Sequence, residues 1–153
     1  MKSEPTAFSI EDLRGAEDRT TCWDGVRNYQ ARNFLRDEIA VGDGVLYYHS
    51  NVEPVGIAGE AVVVRAGYPD YTAWDQHDPH YDPKSDPDRP TWYMVDVRFV
   101  RACRKVILLS RLKTIPELGG MWVVRRGMRL SVQPVTTEQW ASIMALPEWE
   151  GNR

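Results

Sequence analysis

Residues 91–101 alternate with a period of two. Tyr93, Val95, Val97 and Phe99 fall on one side; Trp92, Met94, Asp96 and Arg98 fall on the other. Successive side chains of a strand point to opposite faces, so this segment calls for a sheet with one face given to a core. Val45-Leu46-Tyr47-Tyr48-His49 is a continuous apolar run of strand length, as a strand covered on both sides requires. Residues 55–65 are rich in strand formers but hold Gly56 and Gly59, the mark of a bulge or a sharp bend. Val106-Ile107-Leu108 extends the sheet. The main helical signals lie early and late, and nothing shows the strand–helix alternation of a doubly wound parallel sheet. The expected fold is α+β, a closed or nearly closed small barrel with flanking helices.

The helices are marked at their ends. Ser9 with Asp12 is a variant capping box for a short helix. Asn28 is the N-cap of a helix to about Glu38, with Ala31, Phe34, Leu35 and Ile39 at helical spacing. Thr136 with Gln139 caps a final helix whose Trp140, Ile143 and Met144 face the core. Leu109–Lys113 reads as a helical turn. Lys2–Glu4 reads as the end of a strand. Ser131–Val135 reads as a last strand, near an edge because Pro134 has no N–H for a ladder. With no repeat or low-complexity tract, the expectation is a single domain over residues 1–153.

Residues 66–90 are long for a structureless connection. Tyr68, Tyr71, Trp74, Tyr81 and, at the exit, Trp92 argue for an ordered flap rather than a linker. Two His and several Asp between Asp75 and Asp82 could ligate a metal, but Pro79 and the lack of periodicity leave no ligand geometry. The reading is a solvated acidic loop, with no metal and no cofactor.

The densest chemistry lies in Thr21-Cys22-Trp23-Asp24-Gly25-Val26-Arg27-Asn28-Tyr29-Gln30-Ala31-Arg32. Asp24-Gly25 makes a tight turn, and the N-terminus of a helix follows. A ring, polar side chains and a helix end in one place could hold a flat polar ligand; a Trp anchoring the core is the alternative. A base pocket needs a ring to stack on, groups aimed at the base edge, and a desolvated space. Trp23 supplies the ring, Trp74 or Tyr81 of the flap a second wall, and Lys2, Ser3, Asn28, Gln30 and Ser50 complete the pocket. Arg27, Arg32, Lys84, Arg125 and Arg126 are the phosphate-contact candidates; a salt bridge with Asp37 or Glu38 suits Arg36 better. No nucleophile is paired with a base. Ser50 follows His49 on a strand and points the other way, and Cys22 reads as a small packing residue.

The net charge of −3 excludes attraction of nucleic acid by the whole surface, but charge is unevenly placed. Between Arg101 and Gln133 the basic residues include Arg104, Lys105, Arg111, Lys113, Arg125, Arg126 and Arg129, against Glu117 alone. Such a face can bind phosphates or a protein partner, or be simply solvated. No apolar run approaches membrane-spanning length, and Met1–Pro5 lacks the apolar core of a secretory signal. The two cysteines, Cys22 and Cys103, show no disulfide framework or metal spacing, which fits a reducing cytosol.

Trp23-Asp24-Gly25-Val26-Arg27-Asn28-Tyr29-Gln30-Ala31-Arg32-Asn33-Phe34-Leu35-Arg36 closely resembles the signature of the EVE domain family. Met1–Pro5, Tyr47–Asn51, Tyr81–Lys84 and Leu130–Pro134 match the same family in the same order. Family members carry a few more apolar residues before the Lys-Ser-Glu-Pro block, so this chain is expected to start inside its first strand. EVE domains are PUA-like and resemble YTH domains, which read N6-methyladenine in RNA. The resemblance implies a pseudo-barrel of five or six mostly antiparallel strands with flanking helices. It also implies a cage Trp following a Lys-Ser strand, the position of Trp23. The function expected is a non-catalytic, monomeric reader of a modified base in DNA or RNA, such as methylated or hydroxymethylated cytosine or methylated adenine. It would be cytoplasmic, or nuclear in a eukaryote. The alternatives are an enzyme acting on a nucleotide or other small molecule through Asp24, Glu4 or His49, and a protein-interaction module using the basic segment.

Overall fold

The structure, a computed structural model, describes residues 1–151. One sheet holds five strands: β1 (Lys2–Ser3), β2 (Thr20–Cys22), β3 (Gly44–His49), β4 (Gly56–Pro69) and β5 (Tyr93–Leu108). Their order across the sheet is β1-β3-β4-β5-β2. β1 runs parallel to β3, and every other pair is antiparallel. The helices are α1 (Ile10–Gly15), α2 (Tyr29–Asn33), α3 (Leu109–Leu112) and α4 (Thr137–Met144). This is the expected α+β architecture. No ladder joins β1 to β2, so the sheet stays open between those edges.

The local signals act where they were read. Ser9 and Thr136 each complete a capping box. Asn28 Oδ1 accepts the Ala31 N–H at 3.0 Å, and α2 passes into a wider π turn over Phe34–Glu38. The β4–β5 ladder shifts register at Gly59. A Cβ there would lie 2.6 Å from the Ile10 side chain and 2.8 Å from the Arg101 carbonyl oxygen, so the bulge needs glycine.

The bent strands serve two packed clusters. One gathers Leu13, Trp23, Val26, Leu35, Tyr47, Val95 and Val97, with Tyr93 and Phe99 against it. The other gathers Ile57, Ile107, Leu112, Leu118, Ile143 and Trp149. The alternation of β5 therefore holds, but Met94 on its other face is buried as well, as is Trp92 just before the strand. Tyr29 stacks on Trp92 at 5.0 Å, and the Trp92 indole donates to Asp82 at 2.7 Å.

Two expectations are corrected. Ser131–Val135 is not a strand. Lys2 N–H donates once to the Ser131 carbonyl at 2.8 Å, while Gln133 turns back to the Leu130 carbonyl and Pro134 has no N–H to give. The basic run is also not one face. Arg101 pairs with buried Glu60 at 2.9 Å and covers the Trp149 ring, and Arg111 pairs with Glu148 at 2.7 Å. Arg101 and Arg111 are thereby paired beside the second cluster, while Arg104, Lys105, Lys113, Arg125, Arg126 and Arg129 are exposed.

Candidate nucleic-acid interface

β4 runs to Pro69 and β5 starts at Tyr93, so the flap proper is 70–92. Its acids build it. Asp75, Asp78, Asp82 and Asp86 each accept the backbone N–H two residues on, at 2.9, 2.8, 3.0 and 2.9 Å. These are Asx turns, in which a short carboxylate replaces a backbone acceptor. The loop read as merely solvated is therefore internally braced.

Asp70 ties the flap to the Trp23 turn. Its carboxylate is fully buried and accepts from Gly25 N–H at 2.9 Å, Arg27 Nη1 at 2.8 Å and Thr72 N–H at 3.0 Å. Burial pushes this carboxyl up, but the bonds from Thr72, Arg27 and Gly25 outweigh it, and the net shift is downward. Arg27 Nε and Nη2 donate to the His80 carbonyl at 3.1 and 2.8 Å, Nη1 also to the Val26 carbonyl, and Nη2 to Thr72. A guanidinium has five N–H groups, and these bonds occupy them. Arg27 is thus a structural latch, with no N–H left over for a phosphate. Gly25 has φ +77°, and a Cβ on it would meet the His80 ring at 2.5 Å, so the turn and the flap fit only around glycine.

Trp23 is 8% exposed and meets the Tyr47 ring edge-on at 5.3 Å. It is a core residue as well as a pocket candidate. Asp24 beside it is half-buried, its carboxyl pushed up by burial and then by the Asp70 charge. Asp24, Asp78 and His80 bring ligand atoms within 4.8 Å of one another, a set chemically able to hold a divalent cation. No sequence signal joins Asp24 to this loop, because the two segments lie far apart in the chain.

Ser3 Oγ donates to the Phe8 carbonyl at 2.7 Å, and Ser50 N–H donates to the Ser3 carbonyl at 3.0 Å. Trp74 is half-buried with its indole N–H on Ser85 at 3.2 Å, and Tyr81 is exposed. Arg32 Nη1 donates to the Thr91 carbonyl at 2.7 Å, which secures the flap's exit. Lys84 is exposed on the flap. Of the groups weighed for acid–base work, His49 accepts the Ile10 N–H at 3.1 Å and Glu4 accepts from Asn51 at 2.6 Å. Burial pushes the Cys22 thiol up, with the Asp24 charge adding to it, which keeps the thiolate scarce.

Asn28 and Gln30 meet Arg125 across an open cleft of about 620 Å³ that Arg27, Trp122 and Arg129 also line. Lys2 Nζ donates to the Met128 carbonyl at 3.1 Å and holds its far wall. Arg125 lies over the Trp122 ring at 5.6 Å, and Phe34 meets that ring edge-on at 5.9 Å. Trp122 carries no signal in the sequence because its segment shows neither helical nor strand period. Reversing Arg125 and Arg126 to Glu is expected to weaken every oligonucleotide alike. It should also flatten the plot of log affinity against log salt by about 0.9 for each phosphate that these side chains neutralise. A titration series in salt reads this directly, and an unchanged slope would place these side chains off the binding path.

The turn, flap and cleft draw on segments from the start to the last third of the chain, and the sequence profile of the EVE domain matches residues 1–146. The chain belongs to the EVE domain family. Human thymocyte nuclear protein 1 is 45% identical over 166 residues, covering 98% of this chain and 73% of that protein. Among solved EVE-like structures, a Pseudomonas putida protein superposes with a TM-score of 0.89 at 49% identity, over 95% of each chain. Human THYN1 protein in complex with 5-methylcytosine-containing DNA superposes with a TM-score of 0.89 at 45% identity, over 99% of this chain and 97% of that one. The EVE resemblance carried by the sequence blocks is therefore met along the whole chain.

Proposed function

We propose that this EVE domain is a non-catalytic reader of a modified base in DNA or RNA. The observation that carries the reading is the human relative crystallised with 5-methylcytosine-containing DNA, alike over 99% of this chain. The base is held at the Trp23–Asp24–Gly25 turn, with Trp74 or Tyr81 of the flap as the second wall. The strand runs along the Arg125–Arg129 side of the cleft. The latch through Asp70 and Arg27 fixes the turn in advance, which reduces the ordering cost of binding. Trp23 is mostly covered, so a base reaches its ring face only when that cover shifts, and the base itself must leave its stack to enter a pocket. No helix among the described residues is long and apolar enough to cross a membrane. We place the protein in the cytoplasm, or in the nucleus if the cell is eukaryotic.

The test is a binding series at fixed salt. It uses DNA and RNA oligonucleotides identical except for one cytosine, 5-methylcytosine, 5-hydroxymethylcytosine, adenine or N6-methyladenine. One modified base is expected to bind about tenfold more tightly than its parent, a difference of about 1.4 kcal/mol, with no product formed. Equal affinity across the series, or turnover of the base, would overturn the reading.

A further inference from the structure

We infer that Asp24 and His80 read the Watson–Crick edge of the bound base and select an exocyclic amino group beside a ring-nitrogen acceptor. Cytosine and adenine carry that pair; thymine, uracil and guanine do not. This rests on the reading of the Trp23 turn as the base site.

Few polar groups near the turn are still available to a ligand. Ser3 Oγ is committed to the Phe8 carbonyl, and Asn28 Oδ1 to the Ala31 N–H. Both are natural edge readers by residue type, and both are occupied. Asp24 is different. Among the described residues, no hydrogen bond from another residue reaches its carboxylate. A half-buried carboxylate with no donor from another residue keeps its acceptor capacity for an incoming N–H. The imidazole of His80 stands within 4.8 Å of it. His80 Nδ1 is buried 3.3 Å from Asp78 Oδ1, which leaves Nε2 as the nitrogen that would meet a ligand.

Both groups are held rigidly. The His80 carbonyl is gripped by Arg27, its N–H donates to Asp78 at 2.8 Å, and its ring packs where a Gly25 Cβ would be. Asp24 directly follows Trp23, so the stacking ring and the edge reader belong to one turn. Cytosine presents its N4 amino group next to the N3 acceptor, and adenine presents N6 next to N1. The carboxylate accepts from the amino group, as Asp does from cytosine N4 elsewhere, and the imidazole N–H donates to the ring nitrogen. Thymine, uracil and guanine put a carbonyl oxygen against the carboxylate and an N–H against the imidazole, so neither hydrogen bond forms. A 5-methyl group lies off this edge, and an N6-methyl group leaves one amino hydrogen that reaches the edge when the methyl turns toward N7.

The experiment compares oligonucleotides carrying 5-methylcytosine, thymine or 5-methyl-2-pyrimidinone at one position, the last lacking only the amino group. Binding is measured in chelator, with wild type, Asp24→Asn and His80→Gln, each checked for an unchanged melting temperature. Wild type should lose about 10- to 100-fold on removal of the amino group. Asp24→Asn should bind 5-methylcytosine and thymine within about threefold of each other, and His80→Gln, which keeps a donor, should retain most of the preference. A folded Asp24→Asn that keeps the full preference overturns the inference while leaving the reader in place. Binding that requires an added divalent cation also overturns it, because the same three side chains would then be ligands. A wild type indifferent to every modified base removes the reader, and this inference with it.

Discussion

Trp23→Ala is expected to destabilise the domain by about 3–5 kcal/mol and to abolish base discrimination. Both effects follow from the one side chain's position. The indole is 8% exposed, sits in the main cluster with Val26, Leu35 and Val95, and meets Tyr47 edge-on at 5.3 Å. Removing it leaves a cavity between β3 and the start of α2, which those neighbours cannot close without moving the sheet. Trp23→Phe separates the two roles. It keeps a ring for the core and for stacking, so the stability loss should be smaller and discrimination weakened rather than lost. Urea unfolding alongside the oligonucleotide series measures both. A Trp23→Ala protein with unchanged unfolding midpoint and intact discrimination would remove Trp23 from both the core and the pocket.

Arg27→Met should cost about 3–5 kcal/mol at neutral pH, because it leaves the Asp70 carboxylate buried without its counter-charge. Asp70 is 0% exposed and Arg27 Nη1 lies 2.8 Å from it. The loss has a pH signature. In the native protein the Asp70 carboxyl is held below its ordinary value, so its contribution is present above the unfolded carboxylate pKa and fades as pH falls through the folded value. In Arg27→Met that downward pull is weakened, so the gap between mutant and wild type should shrink in acid, where Asp70 is protonated in both. The double mutant Arg27→Met with Asp70→Leu should recover part of the stability but not the fit of the flap. Denaturation at several pH values tests this. A gap that is constant from neutral to strongly acidic pH would mean that the ion pair is not the source.

What the sequence determined by itself was local or periodic. Ser9, Asn28 and Thr136 cap their helices because each bond closes within three residues. The alternation of Tyr93 to Phe99 marks a strand because the cause lies within the segment, whereas Gly59 signals a bulge in β4 whose need for glycine comes from Ile10 and Arg101. The EVE signature at Trp23–Arg36 was also legible, being a contiguous string. The tertiary structure decided everything that depends on pairing distant segments. Arg27 and Arg101 look like solvent or phosphate arginines in sequence, yet buried Asp70 and Glu60 claim them. Ser131–Val135 has a strand's composition, but Lys2 offers it a single backbone bond. Asp24 joins Asp78 and His80 only because Arg27 and Asp70 fasten the flap to the turn. Charge and hydrogen-bond valence are satisfied in space, not along the chain, so a residue's type states what it can bond and only the fold states which partner it has.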